Sequence, residues 1–177
     1  MKITFSSSKK DEAVLVVPVY AGNAVDHADA GLKKFITSAL ANEKNFDGKN
    51  GQMTTLRAAD KKIILLGLGD AKELNEKSVK KMSAPLYRML AAEGAKQATI
   101  STGSMPPALA AQLADGVLFA SYSFTKYKTI KDNATRPDDI TIVTPHAKQA
   151  ADAFAPLNKV TQSVFWASDL ANEPGNV

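Results

Sequence analysis

Short runs of apolar, mostly β-branched residues, separated by segments with helical spacing, constrain the fold of this chain more than any other feature. The first run covers residues 13–17 (AVLVV), and later runs cover residues 62–66, 98–101 and 139–143. Strands that are apolar throughout are buried on both faces, as in a sheet that helices cover. The pattern therefore predicts an α/β domain of three layers, α/β/α, with helices on both sides of the sheet.

The strand runs also predict how the sheet is built. The run at residues 13–17 should be a central strand that ends at Pro18 and the following Gly22-Asn23 turn. Residues 52–57 alternate moderately between polar and apolar, and a short polar connection separates them from residues 62–66. These two segments should pair as a hairpin. The central sheet is therefore expected to be mixed.

Three segments have helical spacing. Asn75 and Glu76 predict an N-cap and an acidic first turn for one helix, and Pro106-Pro107 predicts the start of a second. The apolar positions of the three segments are Val79, Met82, Leu86 and Leu90; Leu109, Leu113, Val117 and Ala120; and Val160, Val164, Ala167 and Ala171. Each face should pack against a partner surface. The polar loop at residues 44–51 is the expected flexible segment.

Composition excludes several classes of function. The 177 residues suit one domain, and the absence of cysteine rules out disulfides, thiolate metal sites and cysteine nucleophiles. The net charge is +4, and the lysines lie in scattered pairs, so a nucleic-acid partner is possible but disfavoured. The amino terminus lacks the order of a signal peptide, and no apolar run approaches the about 20 residues that cross a bilayer. A cytoplasmic protein without a membrane partner is expected.

The two histidines, His27 and His146, are the candidates for imidazole chemistry. His27 lies between Asp26 and Asp29, but neighbouring residues at a helix start point in different directions and cannot share a metal ion. We interpret this stretch as an acidic helix entry capped by Asp26. We interpret His146 as a solvated residue at the start of another helix.

Two stretches match binding motifs only in part. Gly67-Leu68-Gly69 has two glycines of a dinucleotide fingerprint, but Lys72 stands at the third position, so a sharp turn is the preferred interpretation. Residues 124–128 (FTKYK) interleave aromatics and lysines, as a stacking platform for single-stranded nucleic acid would. An aromatic that closes the core, with lysines reaching outward, is the preferred interpretation. Taken alone, the residues predict no catalytic, cofactor-binding or metal-binding site.

Three segments carry a resemblance to a known family. Residues 167–177 (ASDLANEPGNV) resemble the "AR-D-L-x-N-E-P-x-N" signature of the leucyl aminopeptidases, which are cytosolic metallo-exopeptidases, with Ser168 where arginine is usual. Residues 65–70 (LLGLGD) resemble the family's "LVGLG" strand end. Residues 115–128 (DGVLFASYSFTKYK) resemble its "EG-x-LL-x-x-Y-x-F-x-x-YK" helix and turn. The order and spacing of the three segments also match.

The resemblance implies that this chain is non-catalytic and that a further domain carries the catalytic site. Residues 1–156 would form a non-catalytic, macro-like amino-terminal domain, and residues 157–177 a linker helix that leads into a catalytic domain absent from this chain. In the family, that domain holds two divalent metal ions, zinc or manganese, so no catalytic, cofactor-binding or metal-binding residue is assigned here. The parent enzyme would release amino-terminal residues, preferably leucine, from peptides. Its partners would be its own catalytic domain and the other subunits of a homohexamer.

Two alternatives stay open. A macro-type module binds ADP-ribose or another nucleotide through glycine-rich loops, whose backbone amides hold the diphosphate. The corresponding loops here are residues 21–25 and 101–104, and neither contains a run of glycines. The other alternative is a DNA-binding domain, which the charge of +4 permits without indicating it.

Overall fold

The computed structural model describes residues 1–8, 13–58, 61–127, 129 and 135–175 of the chain. Strands are interspersed with helices along these residues, as the sequence predicts, and the strand at Lys2–Ser6 adds to the predicted ones. In chain order, the elements are β1 (Lys2–Ser6), β2 (Val14–Tyr20), β3 (Ala24–Val25), α1 (Ala30–Leu40), β4 (Met53–Ala58), β5 (Lys61–Gly69), α2 (Glu76–Ala92), β6 (Gln97–Ser101), α3 (Pro107–Ala120), β7 (Asp139–Val143) and α4 (Ala147–Asn172).

All strands belong to one mixed sheet, in the order β1-β7-β6-β2-β5-β4, with β3 paired to β2 outside this path. The strands from β1 to β5 in that order are parallel, whereas β4 is antiparallel to β5, and β3 to β2. The predicted hairpin is confirmed, because Met53 pairs with Leu66 and Ala58 with Lys61. The central position of β2 and the mixed sheet are confirmed as well. Residues 59–60, in the hairpin connection, lie outside the described residues.

The prediction that Pro18 ends the central strand is wrong, because β2 continues through it to Tyr20. Pro18 pairs with Leu66 of β5, and on its other side its carbonyl oxygen accepts a hydrogen bond from the Asp26 N–H at 3.1 Å. The N–H and C=O of one strand residue point to the same side of the strand. The N–H that proline lacks would therefore point towards β3 and away from β5. For this reason, Pro18 does not interrupt the hydrogen bonds between β2 and β5.

Helices cover both faces of the sheet, which confirms the three-layer prediction. Val14 and Val16 of β2 point into a core shared with α2, α3 and α4. Leu15 and Val17 point into a second core with α1. That second core includes β2 and β5 but no buried residue of β1, β6 or β7. On this face of the sheet, α1 therefore covers β2 and β5 but does not extend over β1, β6 and β7.

The helix starts follow local sequence signals. The Asn75 side chain caps α2 by accepting from the Ser78 N–H at 3.0 Å, and the Ser78 hydroxyl completes a capping box, so the predicted N-cap is confirmed. Pro107 opens α3 as predicted. The buried face of α3 is wider than the predicted stripe, because α3 packs between α2 and α4. Its buried apolar residues are Ala110, Ala111, Leu113, Ala114, Val117 and Leu118.

Helix α4 has 26 residues and begins at Ala147, within the predicted first domain. It runs through Pro156, and the Thr161 hydroxyl still donates to the Asp115 carboxylate of α3 at 2.6 Å. The predicted stripe of Val160, Val164, Ala167 and Ala171 is exposed among the described residues. The packed face instead includes Phe154, Thr161 and the half-buried Phe165.

The loop at residues 44–51, expected to be flexible, is hydrogen-bonded to the end of β5. The Gly69 N–H donates to the Gly48 carbonyl, and the Gly51 N–H to the Gly67 carbonyl, both at 2.9 Å. A Cβ at Gly67 would overlap the Lys49 carbonyl oxygen. The glycines of the Gly67-Leu68-Gly69 segment therefore permit close contact with this loop. No helix follows β5 tightly, since α2 begins at Glu76.

Candidate functional site

Two of the motif segments found in the sequence contact each other at the carboxyl-terminal end of α4. The Lys126 ammonium group donates to Glu173 Oε1 at 2.6 Å, and the Tyr127 hydroxyl donates to Glu173 Oε2. The Tyr122 hydroxyl donates to Asp169 Oδ1 at 2.9 Å and accepts from the Asn172 amide at 3.3 Å. These contacts fasten the turn after α3 to the last turn of α4. We call these six residues the α4 clamp.

Aromatic packing supports the α4 clamp from within the domain. The Phe165 ring of α4 lies 5.1 Å from the Tyr122 ring and 6.2 Å from the Phe119 ring, centroid to centroid. Such tilted aromatic pairs add about 0.5–1.5 kcal/mol beyond their area burial. The direction in which the chain leaves α4 is therefore fixed by both ring packing and hydrogen bonds. Pro174, which follows Glu173, cannot continue the helix.

The preferred interpretation of residues 124–128 is only partly correct. Tyr127 is 48% exposed, so it does not close the core. The Lys126 side chain extends outward, but its ammonium group pairs with Glu173. The Phe124 ring packs against Tyr127, with 5.8 Å between centroids. Lys128, also part of this segment, lies outside the described residues.

Glu173, Lys126 and Tyr127 shift one another's pKa values. Hydrogen bonds from Lys126 and then Tyr127 lower the pKa of the Glu173 carboxyl below its ordinary value, because both stabilise the carboxylate. The bond to Glu173 in turn raises the pKa of the Lys126 ammonium group and of the Tyr127 phenol. The ionised form of Glu173 therefore holds Lys126 and Tyr127 in the α4 clamp at neutral pH.

Acidification is expected to release Lys126 and Tyr127 from Glu173 in the α4 clamp. A carboxyl whose pKa is depressed by folding contributes stability that is fully present above its unfolded pKa, and loses it as the pH falls through the folded value. For Glu173 this window begins near the ordinary pKa of 4.5 and extends below it. In NMR spectra recorded from neutral pH downwards, the Tyr127 ring signals should move towards solvent-exposed values within this window.

The variant Glu173→Gln is expected to remove this acid transition, because glutamine does not titrate. The matched control is Glu73→Gln, at an exposed glutamate in the turn before α2, and it should keep the transition. A Tyr127 transition that persists unchanged in Glu173→Gln would contradict this account of the α4 clamp.

A second candidate site is a cavity of about 470 Å³ at the carboxyl ends of β1, β6 and β7. Its described lining residues are Ser7, Leu15, Asp26, His27, Ala28, Asp29, Thr99, Ser101, Gly103, Ser104, Val143, Thr144 and Pro145. Crevices at the carboxyl ends of parallel strands are where open α/β sheets bind ligands. Residues 101–104, one of the two loops considered for ADP-ribose, line this cavity, together with the segment that follows the other loop, residues 21–25.

The prediction that Asp26 caps α1 is wrong. The N-cap is Asp29, whose Oδ1 accepts from the Leu32 N–H at 3.0 Å. Asp26 Oδ2 instead accepts from the Ser104 N–H at 2.6 Å and from the Ser104 hydroxyl at 2.7 Å. No local signal could reveal this pairing, because its partners are 78 positions apart in the sequence.

The two histidines lie just before the starts of α1 and α4. His27 Nδ1 accepts a hydrogen bond from the Asp29 N–H at 3.0 Å, within the loop that leads into α1. His146 is exposed and occupies the N-cap position of α4, as predicted.

Over the described residues, no group of three or more histidine, aspartate or glutamate side chains could hold a metal ion. In the same part of the chain, none of the helices is both long and apolar enough to pass through a membrane.

Comparison with known protein families places the chain in one of them. The model of the amino-terminal domain of the cytosol aminopeptidase family matches residues 16–131. The chain belongs to this family. Probable cytosol aminopeptidases of Nitrobacter winogradskyi and of a Bradyrhizobium species are 32% and 33% identical to it, over 89% and 88% of this chain. The alignments cover 32% and 33% of those relatives, so the chain spans about a third of their length.

Solved structures show the same fold in a longer protein. A mutant of tomato leucine aminopeptidase matches 99% of this chain with a TM-score of 0.76 at 17% identity, over 39% of its own length. The bottromycin maturation enzyme BotP, in complex with Mn, matches 92% of the chain with a TM-score of 0.64 at 18% identity, over 32% of its own length. The cytosol aminopeptidase amino-terminal domain described here therefore has the α/β fold of these neighbours.

Proposed function

We propose that this chain is the scaffold domain of a metal-dependent leucyl aminopeptidase and has no catalytic residues of its own. Residues 1–156 form the amino-terminal domain, and the remainder of α4 and residues 173–177 link it to a catalytic domain. The parent enzyme removes amino-terminal residues, preferably leucine, from peptides in the cytoplasm. The membership of the chain in the cytosol aminopeptidase family carries this proposal.

The surface of α4 supports a docking role. Its exposed large apolar residues are Val160 (64%), Val164 (38%), Trp166 (67%) and Leu170 (55%). Exposed apolar patches of this kind mark sites of protein contact. The occupant we propose is the catalytic domain, because about two thirds of the length of the two relatives named above lies outside the matched region. The α4 clamp would hold this face in a fixed orientation for docking.

The metal chemistry belongs, in this proposal, to the catalytic domain. Two divalent ions, zinc or manganese, would there supply Lewis-acid activation of water. The described residues of this chain offer no group of carboxylates and imidazoles that fits such a site. No step of the hydrolysis is therefore assigned to them. Homohexamer formation by the complete enzyme is part of the same proposal.

The test is a comparison of two proteins, this chain alone and the polypeptide that continues into its catalytic domain. With Mn²⁺ or Zn²⁺ added, only the longer protein is expected to release p-nitroaniline from leucine p-nitroanilide. Trp166→Ser should leave the Tm of the chain alone almost unchanged, because this side chain is 67% exposed there, and should lower the Tm of the longer protein. Metal-dependent release of leucine by the chain alone would refute the proposal.

The structure argues against the nucleotide-binding alternative. The Ser104 N–H, a backbone donor in the loop that would have to hold a diphosphate, is already bonded to the Asp26 carboxylate. Asp29 adds a second carboxylate to the lining of the same cavity, and both would repel phosphate.

A further inference from the structure

The cavity at the carboxyl ends of β1, β6 and β7 has the size and composition of a ligand site. Its volume of about 470 Å³ lies within the range of about 300–1,000 Å³ typical of small-molecule pockets. Leu15, Val143 and Pro145 give it apolar walls. The polar groups converge from the β6 and β7 ends and from the segment after β3. Neither the α4 clamp nor the proposed docking face uses these residues.

Asp26 is held in this cavity by contacts that leave half of its carboxylate available. Both hydrogen bonds from Ser104 end on Oδ2, and Oδ1 accepts none from the described residues. Gly103 has a φ of +53°, and a Cβ there would lie 2.7 Å from Oδ1 and closer still to Oδ2. Glycine at this position therefore lets the loop after β6 approach the carboxylate. The result is a fixed negative group at the cavity wall.

Ser101 is a second, independent polar group in the cavity. It is only 8% exposed, and its hydroxyl has no hydrogen-bond partner among the described residues. Its position on β6 places it on the same face as Thr99, two residues earlier, which also lines the cavity. A hydroxyl without a protein partner at a cavity wall can donate to or accept from a molecule in the cavity.

The charges of the lining select the ligand. The described lining contains the carboxylates of Asp26 and Asp29, the imidazole of His27, and neither lysine nor arginine. Asp29 is engaged as the cap of α1, so the charge that faces a ligand is that of Asp26, whose Ser104 contacts both end on Oδ2. A cation is attracted to such a site and an anion is repelled. The apolar walls require an apolar body beside the charge, and the volume limits the ligand to a compact molecule.

We propose that this cavity binds a compact primary amine with a small aliphatic body. The ammonium group donates to Asp26 Oδ1 and to the Ser101 hydroxyl, and the aliphatic part contacts Leu15, Val143 and Pro145. The proposal assigns a binding site to a domain for which only scaffolding is proposed above. It does not depend on the aminopeptidase proposal, because it rests on the cavity alone.

Three small molecules with the same aliphatic body test whether the cavity of the 177-residue chain prefers a positive charge. Isopentylamine, isopentanol and 3-methylbutanoate share one aliphatic body and differ in charge. In NMR titrations of the ¹⁵N-labelled chain, the amine should shift the backbone amide signals of Asp26, Ser101 and Ser104 in a saturable way. Its Kd should be at least about tenfold lower than that of the alcohol, as a charge-assisted hydrogen bond implies. Equal or tighter binding of 3-methylbutanoate, or no saturable shift with the amine, would overturn the proposal.

Substitutions distinguish binding in this cavity from a general effect of the charge of the chain. Asp26→Asn should raise the Kd for isopentylamine by about tenfold or more, whereas Asp152→Asn, at an exposed position of α4, should leave it within about twofold. Ser101→Val keeps the bonds between Asp26 and Ser104 and fills the space at the hydroxyl, so it should also weaken binding in a chain that remains folded. If Ser101→Val and Asp152→Asn both bind the amine as the unaltered chain does, the proposed site is wrong.

Discussion

Replacing Gly48 with alanine is expected to lower the free energy of unfolding by about 3–4 kcal/mol. Gly48 has a φ of +76°, where an L-residue other than glycine costs about 1–2 kcal/mol. A Cβ would also overlap the Tyr20 carbonyl oxygen and lie 2.8 Å from the carbonyl carbon. Both partners are backbone, so relief requires the loop to move away from β2, and overpacking of this kind costs about 1–3 kcal/mol. Chemical denaturation of the two proteins measures the difference.

Gly51 provides the matched control in the same loop. Its φ is +79°, but a Cβ there would have no atom within 4 Å. Gly51→Ala should therefore lose only the conformational part, about 1–2 kcal/mol. For a chain of this length, the two variants should differ in Tm by roughly 2–12 °C. If they destabilise the chain equally, the contact with Tyr20 contributes nothing and the loop is free to adjust.

The features that the sequence predicted correctly are encoded by neighbouring residues. Residues 14–17 form part of the central strand because a run of β-branched side chains can be buried on both faces of a sheet. The hairpin of β4 and β5 follows from two strand patterns with a short connection. The cap of α2 depends on Asn75 and residues within one turn of it. Such signals are local, so one sequence is enough to read them.

The features that the sequence missed depend on residues that meet only in the folded chain. Asp26 has the residue type and place of a helix cap, yet the fold brings Ser104 to it, and Asp29 provides the cap. The α4 clamp joins two motif segments whose sequences carry no sign of contact. The apolar stripe at Val160 and Val164 has correct helical spacing but faces away from the core of this domain. Periodicity predicts which residues share a face, not what covers that face.

Glycine at position 116 permits close packing between two helices. Gly116→Ala is therefore expected to destabilise the chain by about 2 kcal/mol. Alanine would favour the helix α3 by about 1 kcal/mol, because its backbone is less free in the unfolded chain. However, its Cβ would lie 2.6 Å from the Ser83 Cβ of α2, and closer to the Ser83 Oγ. Ser83 is buried and its hydroxyl donates to the Val79 carbonyl at 2.9 Å. Overpacking at about 3 kcal/mol therefore outweighs the gain in helix propensity.

The sign of this effect should reverse when Ser83 is replaced by glycine. In a Ser83→Gly background, both clashing atoms are gone, so Gly116→Ala should stabilise the chain by about 1 kcal/mol through helix propensity alone. In a Ser83→Ala background, the clashing Cβ remains, and Gly116→Ala should still destabilise. The unaltered chain, Gly116→Ala, Ser83→Gly and the double variant form a double-mutant cycle. Their free energies of unfolding should give a coupling energy between the two positions of about 3 kcal/mol. A coupling near zero would mean that α2 and α3 can separate without loss, and that the glycine of this motif has no role in their packing.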